Sequence, residues 1–71
     1  MSKTQITSPV VGTLALLHVE NGATVAAGET IGEVESMKMY LGLVTSVGGV
    51  VRWRYNLGEI VGEGDVIAEV E

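Results

Sequence analysis

Valine and isoleucine recur every second or third residue in short stretches that glycine interrupts, and no segment keeps an apolar stripe at helical spacing for three turns. That pattern predicts strands. Eight are expected, near Gln5–Ser8, Gly12–Val19, Thr24–Val25, Thr30–Ser36, Met39–Thr45, Gly49–Tyr55, Ile60–Val61 and Val66–Val70. Between them stand Ser8-Pro9, Asn21-Gly22, Ala27-Gly28, Gly48-Gly49, Leu57-Gly58 and Gly64-Asp65. Asn21-Gly22 is the sharpest turn signal, because both residue types tolerate positive φ.

The same pattern occurs twice. Laid over Gly48–Glu71 at an offset of 36 residues, Gly12–Glu35 is identical at eight of 24 positions, where shared composition would give roughly two. The identities are Gly12/Gly48, Gly22/Gly58, Val25/Val61, Gly28/Gly64, Ile31/Ile67, Glu33/Glu69, Val34/Val70 and Glu35/Glu71. Apolar positions also correspond: Leu14 with Val50, Leu17 with Trp53, Val19 with Tyr55. Glycine- and valine-rich sequences align easily with themselves, but here the glycines fall at turns in both halves, which favours a duplicated unit. Neither unit alone would bury its apolar face. The expectation is therefore an all-β fold of two four-stranded sheets packed face to face, related by a pseudo-two-fold axis, each unit giving half of each sheet. One unit ends at Glu35 and the other at Glu71, so the segment after Glu35 should lie opposite the chain's two ends.

Length and composition narrow the picture further. Seventy-one residues make a single domain, 1–71, near the lower size limit for a self-sufficient core. There is no cysteine, so neither a disulfide nor a thiolate metal site can reinforce that core. No run reaches membrane-spanning length, and Met1-Ser2-Lys3-Thr4-Gln5 lacks the apolar stretch of a signal peptide. A soluble, cytoplasmic protein is expected. The net charge is −5 and the cations are Lys3, Lys38, Arg52 and Arg54. That balance excludes nucleic acid as an expected partner, since its binding rests on clustered Lys and Arg. Lys3 reads as part of a frayed terminus.

The candidate chemistry centres on Glu35-Ser36-Met37-Lys38-Met39-Tyr40, between two strands. Lys38 at a hairpin tip would present one amine outward, either as a solvated turn lysine or as a site of covalent modification. Met37 and Met39 are either core filler, which methionine does well, or an adaptable contact surface beside that amine. The remaining candidates are weaker. His18 has no second ligand at metal-binding spacing and reads as a solvated or hydrogen-bonded strand histidine. Gly62-x-Gly64 lacks the helix and third glycine of a phosphate loop. In Arg52-Trp53-Arg54-Tyr55, alternation should bury both aromatics and expose both arginines, the latter a docking patch in a minority reading. Asp65 is the only aspartate, and no Ser/His/Asp set exists.

Taken together, Ser8-Pro9-x-x-Gly12, Asn21-Gly22-x-x-Val25-x-x-Gly28-x-x-Ile31, Glu35-Ser36-Met37-Lys38-Met39 and Gly58-x-x-Val61-x-x-Gly64-Asp65-x-Ile67 resemble the biotinyl domain of biotin-dependent carboxylases. The resemblance covers nearly the whole chain. It implies a flattened antiparallel β-barrel, the barrel-sandwich hybrid shared with lipoyl domains. It also implies covalent biotin on Lys38, flanking recognition by Met37 and Met39, and a part for Glu35 in recognition by the ligase. The implied partners are a biotin protein ligase, a biotin carboxylase and a carboxyltransferase acting on an acyl-CoA or keto acid. The chain itself would be a non-catalytic carrier, monomeric when isolated.

Ala23 stands where the family often has Asp, and Tyr40 where Glu, Asn or Gln is usual. The stretch from Met39 to Gly58 is one residue shorter than is common, which leaves the register of the later strands open. The thumb insertion and Ala/Pro-rich linker of some bacterial acetyl-CoA carboxylase carriers have no counterpart in these residues. Two alternatives stand beside the carrier of biotin. One is a lipoyl carrier, although lipoyl domains usually place Asp before the lysine and Ala after it. The other is an unmodified interaction module.

Overall fold

The computed structural model describes residues 3–71, and every regular element among them is a strand. These are β1 (Thr4–Thr7), β2 (Gly12–Leu17), β3 (Thr24–Val25), β4 (Thr30–Ser36), β5 (Met39–Val44), β6 (Gly49–Trp53), β7 (Ile60–Val61) and β8 (Val66–Val70). All eight expected strands are present, with β1, β2, β5 and β6 ending one or two residues early. Ser8 and Thr45 leave the ladder because their hydroxyls bend the chain back. Ser8 Oγ donates to Val10 O at 2.6 Å, and Thr45 Oγ1 donates to Val47 O at 2.6 Å. No helix among the described residues is long and apolar enough to cross a membrane. Residues 1–2, the start of the segment read for a signal peptide, lie outside the described part.

The strands form two four-stranded antiparallel sheets, ordered β1-β8-β6-β3 and β5-β4-β2-β7. Exchanging β1 with β5, β2 with β6, β3 with β7 and β4 with β8 turns one order into the other. That exchange is the expected pseudo-two-fold, and each half of the chain supplies two strands to each sheet. The core between the sheets obeys it residue by residue. Its pairs are Ile6/Leu43, Leu14/Val51, Val25/Val61, Ile31/Ile67 and Val34/Val70, completed by Ala68 opposite the buried Gly32. Even the two buried hydroxyl residues, Ser8 and Thr45, are a pair.

One detail corrects the sequence alignment. Leu14 is the counterpart of Val51, not of Val50: each lies opposite the equivalent valine, Val34 or Val70, in its ladder. Leu16 and Arg52 then both lie opposite glutamates, Glu33 and Glu69. The offset changes by one between these positions because β2 carries a bulge at Ala15, an extra residue without a partner. By the same shift Gly12 answers to Gly49 rather than Gly48. A Cβ on Gly12 would fall 2.3 Å from Glu35 O, and one on Gly49 2.5 Å from Glu71 O, so both glycines are there for close backbone approach.

Those two contacts also fix the ends of the barrel. From Thr4, paired with Val70, the chain runs along β1 and by Gly12 has reached Glu35 beside the β4–β5 hairpin. From that hairpin it runs back along β5 and by Gly49 has reached Glu71. The hairpin and the pair Thr4–Val70 therefore sit at opposite ends of a body measuring 35 × 19 × 19 Å.

Candidate functional site

Ser36 pairs with Met39 as the last rung of β4 and β5, so Met37 and Lys38 alone form the connecting loop. Both have positive φ, 47° and 76°, and no other non-glycine residue among those described does. Two successive positive φ values are the signature of the type I′ turn, whose twist matches that of the flanking strands. Asn-Gly is the usual occupant. A β-carbon in this region costs roughly 1–2 kcal/mol per residue. The ladders on either side, from Ser36↔Met39 through Glu35↔Tyr40 to Val34↔Leu41, hold the turn in place, and Val34 anchors it in the core.

The outcome is a narrow projection. Met37 is 92% exposed and Met39 61%, which removes them from the core-filler reading. Lys38 and Glu35 are exposed as well. Among the described residues Lys38 makes no ion pair, so no described carboxylate competes for its amine. Glu35 lies between Thr13 of β2 and Tyr40 of β5 on the outward side of the sheet. The structure thus brings Glu35, Met37, Lys38 and Met39 to one end, Glu35 on the sheet face and the others at the tip.

The other sequence candidates fall elsewhere. His18 Nε2 lies 2.7 Å from Glu33 Oε2, so the histidine has a carboxylate partner that sequence spacing did not reveal. The bulge and the antiparallel return of β4 bring together residues that stand fifteen apart. No group of three or more His, Cys, Asp or Glu residues among those described is placed to hold a metal ion. Gly62 N donates to Asp65 Oδ2 at 2.7 Å, so the Gly62–Asp65 segment is a turn closed on itself. Arg52 and Arg54 are exposed, while Trp53 and Tyr55 pack against the core, as alternation required.

Both aromatics are tied down. Trp53 Nε1 donates to Val19 O at 3.0 Å, and its ring tip occupies the space beside Gly32, where a Cβ would come within 2.9 Å. Tyr55 donates its hydroxyl to Asp65 Oδ2 at 3.1 Å. That hydrogen bond, aided by desolvation and by the negative charges of Asp65 and Glu59, holds the phenol above the ordinary tyrosine value. Lys3, read as frayed, lies 4.0 Å from Glu69 and 3.9 Å from Glu71, and Arg54 donates to Glu69 at 3.1 Å. The paired cations thus belong to the end opposite Lys38.

Comparison with known proteins agrees with this arrangement. A family whose members are described as biotin-requiring enzymes, Biotin_lipoyl, matches residues 4–70. The mitochondrial acetyl-CoA carboxylase of Saccharomyces cerevisiae is 39% identical over 70 residues, which is 99% of this chain and 3% of that protein. The acetyl-CoA carboxylase of Schizosaccharomyces pombe is 39% identical over 64 residues, 90% of this chain and 3% of its own. The chain therefore spans about 3% of the length of these curated relatives. Among solved structures, the urea carboxylase of Kluyveromyces lactis superposes with a TM-score of 0.90 at 22% identity, covering 100% of this chain and 6% of that one. A single-chain long-chain acyl-CoA carboxylase gives 0.83 at 22% identity over 97% of this chain and 7% of its own. At that identity these two establish the fold alone.

Proposed function

This chain belongs to the Biotin_lipoyl family of biotin-requiring enzymes, and from that membership we propose that it is a carrier domain whose Lys38 amine is joined to biotin through an amide. The observation that carries the proposal is the two-residue turn. It sets an amine, unpaired among the described residues, at the tip of a projection that a partner's active site can enclose.

The carrier's residues contribute position rather than chemistry. The β4–β5 ladder keeps the turn ordered, so little conformational freedom is lost when a ligase closes over it. Met37 and Met39 give that ligase soft apolar contacts on both sides of the amine, and Glu35 gives it a charge. Attack of Nζ on the acyl carbon of biotinyl-adenylate forms the amide and releases AMP. The lysine loses two protons on the way, one before attack and one after, both to groups of the ligase, since none of the described residues places a base at Lys38. When bound, biotin supplies the ureido nitrogen that receives carboxylate at an ATP-dependent biotin carboxylase and yields it at a carboxyltransferase. The named relatives point to an acyl-CoA as acceptor. Residues 1–71 serve as one non-catalytic, monomeric domain within such an enzyme, in the cytoplasm or in an organelle that holds it.

Co-expression with an active biotin protein ligase, followed by intact-mass measurement, tests the proposal. Wild type should carry one biotinyl adduct and Lys38→Arg none. An unmodified wild type would overturn it. An adduct formed only under a lipoate ligase would assign the chain to lipoyl transfer, and an adduct on Lys3 would mean that the wrong amine was chosen.

A further inference from the structure

The pseudo-two-fold gives each outward-facing position a counterpart under the same packing demands, and at several positions the two sheets are dressed differently. On the β5-β4-β2-β7 sheet, Ile60, Thr13, Glu35 and Tyr40 are paired in one row across four strands. Residues directly opposite each other in a sheet share a face, and because Leu14 and Val34 point into the core this row points outward. The next outward row is Leu16, Glu33 and Gly42. Ile60 is 77% exposed, Tyr40 56% and Leu16 44%.

Their counterparts on the other sheet are Thr24 for Ile60, Lys3 for Tyr40 and Arg52 for Leu16. Holding the barrel together thus requires no large apolar side chain at any of the three positions. Charge divides the same way. Arg52 lies on the opposite sheet, with Lys3 just before β1 and Arg54 just after β6, whereas Glu33 and Glu35 stand among the apolar residues with only the His18 imidazole as a described basic partner.

We infer that this outer face, Leu16, Ile60 and Tyr40 with Glu33 and Glu35 between them, is where the ligase that acylates Lys38 docks, through an apolar surface edged with Lys or Arg. The inference rests on the carrier function proposed above. Two arguments choose the occupant. A second copy of the chain would bring carboxylates against carboxylates, so a self-complementary contact is disfavoured. A carboxylase meets biotin at the far end of the biotinyl-lysine arm and can work at a distance from the barrel. A ligase must bring its acyl carbon to Nζ itself, roughly 6 Å from the lysine Cα on ordinary bond lengths. The two outward rows lie roughly 7 and 13 Å behind the tip at ~3.3 Å per strand residue. A protein enclosing the tip therefore rests on this face or on its opposite.

The test exchanges counterparts. Leu16→Arg with Ile60→Thr installs on the lysine-bearing sheet what the other sheet already carries, and Arg52→Leu with Thr24→Ile is the reciprocal control. Each is assayed as the full chain with biotin protein ligase, biotin and ATP, and folding is followed by urea denaturation. The first variant should stay folded and raise the ligase KM for the carrier about tenfold with kcat unchanged, as for loss of a buried apolar anchor. The control should stay within twofold of wild type. Should the first variant unfold, the single change Ile60→Thr in the exposed β7 position carries the measurement, with a KM rise of about threefold. A folded variant with wild-type KM, or an equal rise in the control, overturns the docking face while leaving the carrier function standing. A wild type that the ligase does not modify overturns both. Self-association of the wild type that the first variant abolishes would assign the face to a second copy instead.

Discussion

The barrel has two ends built to one plan. At one, β4 and β5 are joined by Met37 and Lys38; at the other, β8 and β1 meet at Val70 and Thr4 without a turn between them. The interior does not distinguish them, because the same buried positions recur in both halves. What differs is everything the packing leaves free. Lys3 at one end lies near two glutamates, while Lys38 at the other stands unpaired among the described residues and flanked by exposed methionines. The duplicated interior explains why the molecule folds, and the unduplicated exterior is where its function has to be sought.

That contrast can be strained at three levels. The largest effect lies in the shared core. Ile31→Ala and Ile67→Ala remove fully buried counterparts and should each lower stability by about 2–5 kcal/mol, within ~1 kcal/mol of each other, in urea denaturation. A large cost on one side only would show that the halves bear unequal loads. Next come the turns. Gly28 and Gly64 have φ of 87° and 85° with open space around a built Cβ, so alanine at either meets backbone strain alone. Each substitution should cost about 1–2 kcal/mol. Met37→Gly, at φ 47°, relieves the same strain and should stabilise the chain by up to about 1 kcal/mol, read as a raised Tm.

The smallest effect separates Tyr55 from its counterpart Val19, which has no hydroxyl. The native phenol is held above the ordinary tyrosine value, so the folded state keeps its proton more tightly than the unfolded chain. Its contribution is fully present below about pH 10, the unfolded value, and is lost as pH rises through the native one. Urea midpoints of wild type should fall more steeply above pH 10 than those of Tyr55→Phe. Parallel curves would mean that the bond to Asp65 does not survive in solution.

Much of this was legible in the residues. Valine, isoleucine and glycine spacing marked the strands, and the repeat foretold the exchange that relates the two sheets. Lys38 stood out because it lies just beyond the end of one repeat unit. The bulge at Ala15 was hidden for a specific reason. Gly48-Gly49 and Val50-Val51 are doublets, so a one-residue shift substitutes like for like and leaves the count of identities unchanged. The bond between His18 and Glu33 was invisible for a related one, since it depends on the register that the bulge sets. Ring-to-glycine packing, as between Trp53 and Gly32, leaves no trace in periodicity because it crosses from one sheet to the other.

The opposition of hairpin and chain ends has a mechanical consequence. A rigid body held at one pole is a lever, and if this barrel were held at the pole near Thr4 and Glu71, Lys38 would ride at the other. The relatives are far longer chains, so in such a setting the 35 Å length of the barrel adds to whatever arm the amine carries. A small rotation at such a pivot would become a wide sweep at the tip, and stations too far apart for a flexible side chain alone would come within one arc.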